Sequence, residues 1–400
     1  MNKKILKIML FALSFLLVTT NLAATSVEVE GKSAEIKNQE FDFDNIIYKI
    51  MKFGKIPSLS ACIIKNDETI WANSYGFKDI EEKQEATINT QYIIASISKT
   101  VTATALLQLY EKNLFNLNEN VNNYLDFELK NPYYPDINIT FRMLLTHTAS
   151  LDFEPDWFYF VNYSSPDPPL LSSWMKDYFY ENETLIKDRW MNVIPSSQFR
   201  YSNLGFCIIG RLVEILSGKN INTYCKENIF IPLEMYNTSF NLSDLNIDDV
   251  AKPYILFTGQ CDVYLPIPHY SVIMHPAGGL RTSVMDLSHF LIAHNNNGKY
   301  KNFQLLNKTT IDLMHTADVF NKKLGYGLGW GVFNTIPRKS GHSGSLYCYN
   351  SQMMLRDFDK TGIILFVNRD LGRDVKGKIS YALIQQLLFL KAFKFYSYTN

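Results

Sequence analysis

Residues 93–112 read IIASISKTVTATALLQLYEK, an apolar helical stretch interrupted at its start by two serines and a lysine. Polar groups at the start of a buried helix either cap it or act. Ser96 and Lys99 are three positions apart, so on a helix they share a face within contact range. A serine becomes a nucleophile only when its proton is removed, and a lysine removes it only if burial or neighbouring cations lower its own pKa. The following Val101, Ala103, Ala105, Leu106, Leu107 and Leu109 make that helix largely apolar. A helix N-terminus near Ser96 also offers free backbone N–H groups to an oxyanion. The same pair fits a capping serine with a surface lysine, and "SWMK" repeats the spacing at Ser173 and Lys176. The pair by itself decides nothing.

Two further groups lie downstream. "FRYSNLGF" places Tyr201 and Asn203 just before the helical run "GFCIIGRLVEIL". A tyrosine there can relay a proton while the asparagine amide holds a substrate carbonyl. "SGHSGSLY" sets His342 in a Gly-flanked segment that leads into a strand, where Gly344 permits close approach to the backbone.

Taken in order, Ser96-Ile-Ser-Lys99, Tyr201-Ser-Asn203 and His342-Ser-Gly344 resemble the three motifs of the serine β-lactamase and penicillin-binding-protein superfamily. The likeness is greatest to the branch of class C β-lactamases, DD-peptidases and esterases, whose second motif is Tyr-x-Asn. "LLTHTASL" (144–151), "IFIPLEMYNTSF" (229–240), "PAGGLRTSVMDLSHFL" (276–291) and "YGLGW" (326–330) also look like that family. The resemblance implies an α+β fold of the β-lactamase/transpeptidase type, with an antiparallel sheet flanked by terminal helices, an inserted all-helical subdomain and the active site between them. It implies Ser96 as the acylated nucleophile and Lys99 with Tyr201 as the acid/base pair. Asn203 would orient the acyl side chain, and His342, Ser343, Gly344 and Ser345 would line the substrate. The oxyanion hole would be the backbone N–H groups of Ser96 and Ser345. Neither a metal nor an organic cofactor is implied.

His342 departs from the β-lactamase pattern, which has a lysine there. A histidine with a pKa near 6.5 is mostly neutral at neutral pH, so recognition of a substrate carboxylate should be weaker. That favours a D-amino-acid peptidase or esterase over a true β-lactamase. The rival of another class is a non-catalytic sensor or binding protein of the same fold. His147, in "LLTHTASL", invites a general-base reading, but it lies in a packing segment and the acid/base roles are filled. Ala149-Ser150 replaces the usual Ser-Gly of that segment. Cys348 takes a usual glycine and reads as a small side chain filling space.

The rest of the chain gives the frame. The N-terminus has Lys3, Lys4 and Lys7 followed by an apolar run from Ile8 to Val18, the layout of a secretory signal peptide. The expected organisation is a signal peptide over 1–24, a linker over 25–44 and a catalytic domain over 45–395. Its sheet part covers 45–95 and 280–395, with a helical insertion over 100–280. The protein is expected to be secreted, and to touch a membrane only if the leader stays uncleaved. With 39 basic and 39 acidic side chains no overall field attracts nucleic acid. The partner is expected to be a small-molecule or peptide substrate.

"SLSACIIKNDETIWANSYGFKD" reads as a hairpin turning at "KNDE", and "GYGLGWGVF", "SGSLYCYNSQMML" and "GIILFVNRD" read as late strands before a C-terminal helix. The aromatic-rich segment 153–190 reads either as a wall for an apolar substrate or as a local core. Five scattered cysteines, an odd number, leave at least one unpaired within the chain and read mostly as small buried residues.

Overall fold

The two apolar runs on either side of "KNDE" form strands β1 (Ser58–Lys65) and β2 (Glu68–Asp79), joined through Asn66 at φ +54°, a conformation asparagine tolerates better than most residues. The computed structural model describes residues 42–151, 161–181, 184–259, 261–321, 324–372 and 374–397. The expected signal peptide (1–24) and most of the expected linker lie outside them. Residues Asp44–Asn400 group into one unit.

Seven further strands complete a single antiparallel sheet: β3 (Gln84–Glu85), β4 (Val319–Asn321), β5 (Leu324–Tyr326), β6 (Gly331–Phe333), β7 (Lys339–Leu346), β8 (Tyr349–Arg356) and β9 (Thr361–Val367). The order is β4-β5-β6-β7-β8-β9-β1-β2-β3. The early hairpin thus joins the late strands through β1 and β9, with Leu59 opposite Val367 and Ile63 opposite Ile363. Strands distant in sequence make one sheet, as the late β-like segments predict.

Both faces of the sheet are covered, which explains why β1 and β9 are buried almost along their whole length rather than at alternate residues. Cys62 and Ile64 face the helical side, where Cys62 Sγ lies 3.5 Å from the carbonyl of Val284. Trp71 stands opposite Ile63 on the other face, with the ammonium of Lys391 5.1 Å from its ring centroid. Lys391 belongs to the C-terminal helix, Val375–Ser397. An early helix, Phe43–Gly54, precedes β1. Its Gly54 packs so closely on Ser380 that a Cβ there would stand 2.5 Å away.

The insertion is built on α1 (Ser98–Glu111), α2 (Phe141–Leu145) and α3 (Asn203–Ser217). α1 is buried nearly all round, so its apolar run marks a central helix, not an amphipathic surface one. The insertion also carries strand pairs that an all-helical reading omits: Tyr254–Phe257 with Val263–Pro266, Val161–Asn162 with Ser271–Val272, and Tyr180–Glu181 with Thr184–Leu185. "YILF" and "VYLP" are β-favouring runs around a turn at Gly259, so the first of these was legible.

The segment "SGSLYCYNSQMML" folds as a hairpin instead of one strand, turning at Tyr347 and Cys348. Cys348 adopts φ +67°, the left-handed conformation that explains why a glycine is usual there. Its thiol is buried and its pKa is pushed up to about 12 by that burial, so it fits the space-filling reading. Cys62, Cys207 and Cys225 are buried too, Cys261 is exposed, and all five cysteines are free thiols.

In the aromatic-rich segment, residues 152–160, 182 and 183 lie outside the described residues. Phe179 and Trp190 are buried. Phe179 stacks on Phe127 at 5.8 Å and meets Trp190 at 5.8 Å and Tyr178 at 5.6 Å. The described rings of 174–190 are a local core.

Candidate active site

Ser96 lies in a single 3-10 turn, Ala95–Ile97, that leads directly into α1. The turn starts with Ala95 at φ +47°, a conformation that costs a β-carbon residue about 1–2 kcal/mol. Of residues 91–100 only Ser96 is not buried. The strained turn thus lifts one hydroxyl out of an otherwise enclosed segment. Ser98, the second serine, is fully enclosed: it donates to the Ala95 carbonyl at 2.6 Å and accepts from Leu280 N–H at 3.1 Å. Ser98 therefore fastens the turn to Leu280, which leads into Arg281–Thr282, the segment paired with Tyr92–Ile93.

The surroundings of Lys99 are made by three elements. α1 presents the side chain, α3 brings Asn203, and the short helix His275–Gly278 brings a carbonyl. Lys99 is fully buried. Its Nζ lies 3.2 Å from Ser96 Oγ and donates to Asn203 Oδ1 at 2.5 Å and to the Ala277 carbonyl at 2.7 Å. The ring of Tyr201 lies beside it, its centroid 4.8 Å from Nζ. Two acceptors thus draw two of the lysine hydrogens away from Ser96. The third tetrahedral position faces the serine hydroxyl, where an unprotonated amine presents its lone pair. Ser173 and Lys176, the pair with the same spacing, stand at the surface instead. Ser173 Oγ bonds the Leu170 carbonyl at 2.7 Å, and both residues are exposed.

Tyr201 and Asn203 enter on either side of Ser202, the N-cap of α3, whose Oγ accepts from Gly205 N–H at 3.2 Å. The cap signal Ser-x-x-Gly fixes where the helix starts, and so where Asn203 sits on its first turn.

The His342 segment lies on β7, which packs against the turn of Ser96. Gly344 is the point of closest approach: a Cβ there would stand 2.2 Å from the Ile94 carbonyl oxygen and 2.3 Å from Ser351 Oγ. What this glycine admits is the Ile94 carbonyl, the Ser351 hydroxyl and the Ala95 methyl, the last 3.0 Å from where its Cβ would stand. Ser343 and Ser345 are exposed, while His342 and Gly344 are buried, the alternation a strand imposes.

His342 is a neutral hydrogen-bonding group. Nδ1 lies 2.7 Å from the Ser343 carbonyl, so it carries the hydrogen, and Nε2 accepts from the Tyr326 hydroxyl at 3.0 Å. Burial, then the nearness of Lys99, lower its pKa to about 3, while the bond to the Ser343 carbonyl pulls the other way. Tyr326 is itself buried, which raises its pKa well above 10 and keeps it a donor. Sequence reasoning placed Tyr326 in "YGLGW" but gave it no role. The residues in register with it on the next two strands are Gly331 and Gly341, so no side chain separates the phenol from β7.

The structure therefore brings Ser96, Lys99, Tyr201 and Asn203 together and sets His342 beside them through Tyr326. The Beta-lactamase family model matches residues 43–386. "Beta-lactamase-like protein 2" of Dictyostelium discoideum is 27% identical over 411 residues, covering 97% of this chain and 71% of that protein. "Protein flp" of Staphylococcus aureus strain NCTC 8325 is 26% identical over 338 residues, and the match takes in 81% of this chain and only 62% of the relative. Among solved structures, the octameric penicillin-binding protein homologue from Pyrococcus abyssi superposes with TM-score 0.69 at 24% identity, covering 86% of this chain and 76% of that one. The D-amino acid amidase from Ochrobactrum anthropi SV3 does so with TM-score 0.66 at 20% identity, covering 88% and 99%. At these identities the structural likeness speaks for the fold.

Proposed function

The chain belongs to the beta-lactamase family, and we propose that within it this protein is an exported serine hydrolase that cleaves amides or esters, of the D-amino-acid peptidase or esterase type, through an acyl-enzyme on Ser96. The observation that carries the proposal is the 3.2 Å separation of Lys99 Nζ and Ser96 Oγ, with Lys99 buried and its other hydrogens engaged by Asn203 and Ala277. In the first half-reaction Ser96 Oγ attacks the carbonyl carbon, and its proton passes to Lys99. Lys99, with Tyr201 as relay, returns that proton to the leaving amine or alcohol as the old bond breaks. Backbone N–H groups of Ser96 and Ser345 hold the oxyanion. Water then attacks the ester, giving its proton to the same groups and releasing the acid and Ser96.

A neutral substrate is favoured because His342 is held uncharged by Tyr326 and burial. A lysine at this place would give a carboxylate a fixed partner, and a neutral imidazole does not. Export rests on the lysine-then-apolar leader of residues 1–24.

Fluorophosphonate labelling followed by peptide mass spectrometry tests the nucleophile. Hydrolysis of nitrocefin, p-nitrophenyl esters and D-amino-acid amides, assayed side by side, tests the substrate class. The expected result is an adduct on Ser96, with ester or amide turnover exceeding that of nitrocefin. A folded protein with no adduct on Ser96 would be a non-catalytic member of the fold. Faster nitrocefin turnover would make it a β-lactamase.

A further inference from the structure

His147 has no part in the proposed chemistry, yet it holds the backbone on both sides of Tyr201. Its carbonyl accepts the N–H of Arg200 at 2.7 Å, and its ring Nδ1 accepts the N–H of Ser202 at 3.1 Å. The two peptide N–H groups flanking Tyr201 thus end on one residue. The imidazole also packs on the Tyr201 ring, with centroids 4.4 Å apart, and on Tyr326 at 4.7 Å and Phe206 at 5.1 Å. It therefore touches both the proposed proton relay and the phenol that holds His342.

The acceptor role fixes the chemistry of the ring. Since Nδ1 accepts, the hydrogen resides on Nε2, which has no hydrogen-bond partner among the described residues. A second proton on Nδ1 would face the Ser202 N–H, donor against donor. Burial, Lys99 and His342 together hold its pKa well below 6.5, so the ring stays neutral and cannot serve as a proton carrier. Ser202 needs this acceptor, because its own side chain is engaged with Gly205 N–H. A hydrocarbon side chain of equal size would fill the space but leave the Ser202 amide buried and unmatched. His147 also adopts φ +57°, a conformation in which Asn is several-fold enriched and bulky apolar residues are outliers.

We propose that His147 is a positioning residue that clamps residues 200–202 and thereby sets Tyr201 and Asn203 against Lys99. The proposal rests on the reading of Tyr201 and Lys99 as the acid/base pair. It differs from a packing role in needing an acceptor atom at Nδ1, which Asn can supply through Oδ1 and Phe cannot.

The test compares wild type, His147→Asn and His147→Phe, with His147→Ala replacing the last if it does not fold. Two quantities are read: the rate of acylation by a p-nitrophenyl ester, with kcat and KM separated, and amide hydrogen exchange at Ser202. His147→Phe should lower kcat by on the order of 100-fold with KM little changed, and should speed exchange at Ser202. His147→Asn should recover most of both. If His147→Phe acylates at the wild-type rate, or His147→Asn is no better at equal thermal stability, the clamp is wrong and the ring only packs. If the wild-type protein is not acylated at all, the hydrolase reading falls instead. Exchange at Ser202 still judges the clamp in that case: faster exchange in His147→Phe supports it, and unchanged exchange overturns it.

Discussion

The hydroxyl of Tyr326 lies 3.0 Å from Nε2 of His342 and completes a chain in which the other ring nitrogen donates to the Ser343 carbonyl. With its pKa at about 3, His342 does not change its protonation state near neutral pH. The pH dependence of kcat/KM between pH 5 and 9 should therefore keep the same inflections in wild type and in His342→Gln, even if the variant is slower. An inflection near pH 6 present in wild type and missing from the variant would show that His342 titrates after all.

Replacing Ser96 should abolish labelling by a fluorophosphonate, and replacing Lys99 should slow it strongly. Ser96→Ala removes the atom that is labelled, and Lys99→Ala should slow labelling by roughly 100- to 10,000-fold, the range for loss of a general base. Ser173→Ala should label at the wild-type rate, since its hydroxyl is exposed and bound to Leu170. Equal loss in all three would mean that the wrong serine has been chosen.

His342→Lys should raise activity on carboxylate-bearing substrates relative to neutral esters, because an ammonium replaces a neutral imidazole. It should also lower thermal stability, since a second lysine would be buried close to Lys99. The ratio of the two activities, read with the melting temperature, checks both halves. An unchanged ratio in a folded variant removes the argument for neutral substrates.

Gly344→Ala should separate β7 from the turn that carries Ser96. Its methyl would stand 2.2 Å from the Ile94 oxygen and 2.3 Å from Ser351 Oγ, so backbone has to move. Overpacking of this kind costs about 1–3 kcal/mol, and the displaced Ser345 should reduce acylation by on the order of 100-fold. Chemical denaturation and the acylation rate are the two measurements. Wild-type values in both would show that the strand adapts without disturbing the site.

Acid should destabilise the fold before it reaches the carboxylate range. His275 is held at about 4 by burial and His342 at about 3, against 6.5 when free. Between 6.5 and those values the unfolded chain binds protons that the folded chain does not. Stability is therefore complete above about pH 6.5 and falls as pH drops toward 4, by a few kcal/mol in order of magnitude. Urea midpoints at pH 8, 6 and 4.5 should decrease in that order below 6.5. A flat series would mean that these rings are not buried neutral.

Some of this was legible in the chain and some was not, for physical reasons. Asn66 announces the first hairpin because asparagine tolerates positive φ. Cys348 makes the same kind of turn at φ +67° without announcing it, since cysteine has no turn preference to read. The order of Ser96, Lys99, Tyr201, Asn203 and His342 pointed to one site through a resemblance of motifs. The Ala277 carbonyl that engages Lys99 left no trace, because a backbone acceptor has no side-chain signature. Tyr326 and His147 were visible only as members of recurrent segments. What each does depends on partners on other elements, Tyr326 across two glycines and His147 at the start of α3. Spacing along the chain encodes neither.

The position of β1 beside β9 governs the order in which this protein can be made. β1 ends at Lys65 and its partner begins at Thr361, so a ribosome must deliver nearly the whole chain before the sheet can close. The loop to be closed is roughly 300 residues, and pairing at such separation is slow. Until then Leu59–Ile64 has only the β2 hairpin beside it and offers sticky backbone to other chains. The same delay keeps the chain threadable through a translocation channel, as the proposed export requires. A truncation just short of Thr361 would then give an aggregating fragment rather than a smaller enzyme, although every proposed catalytic residue would be present in it.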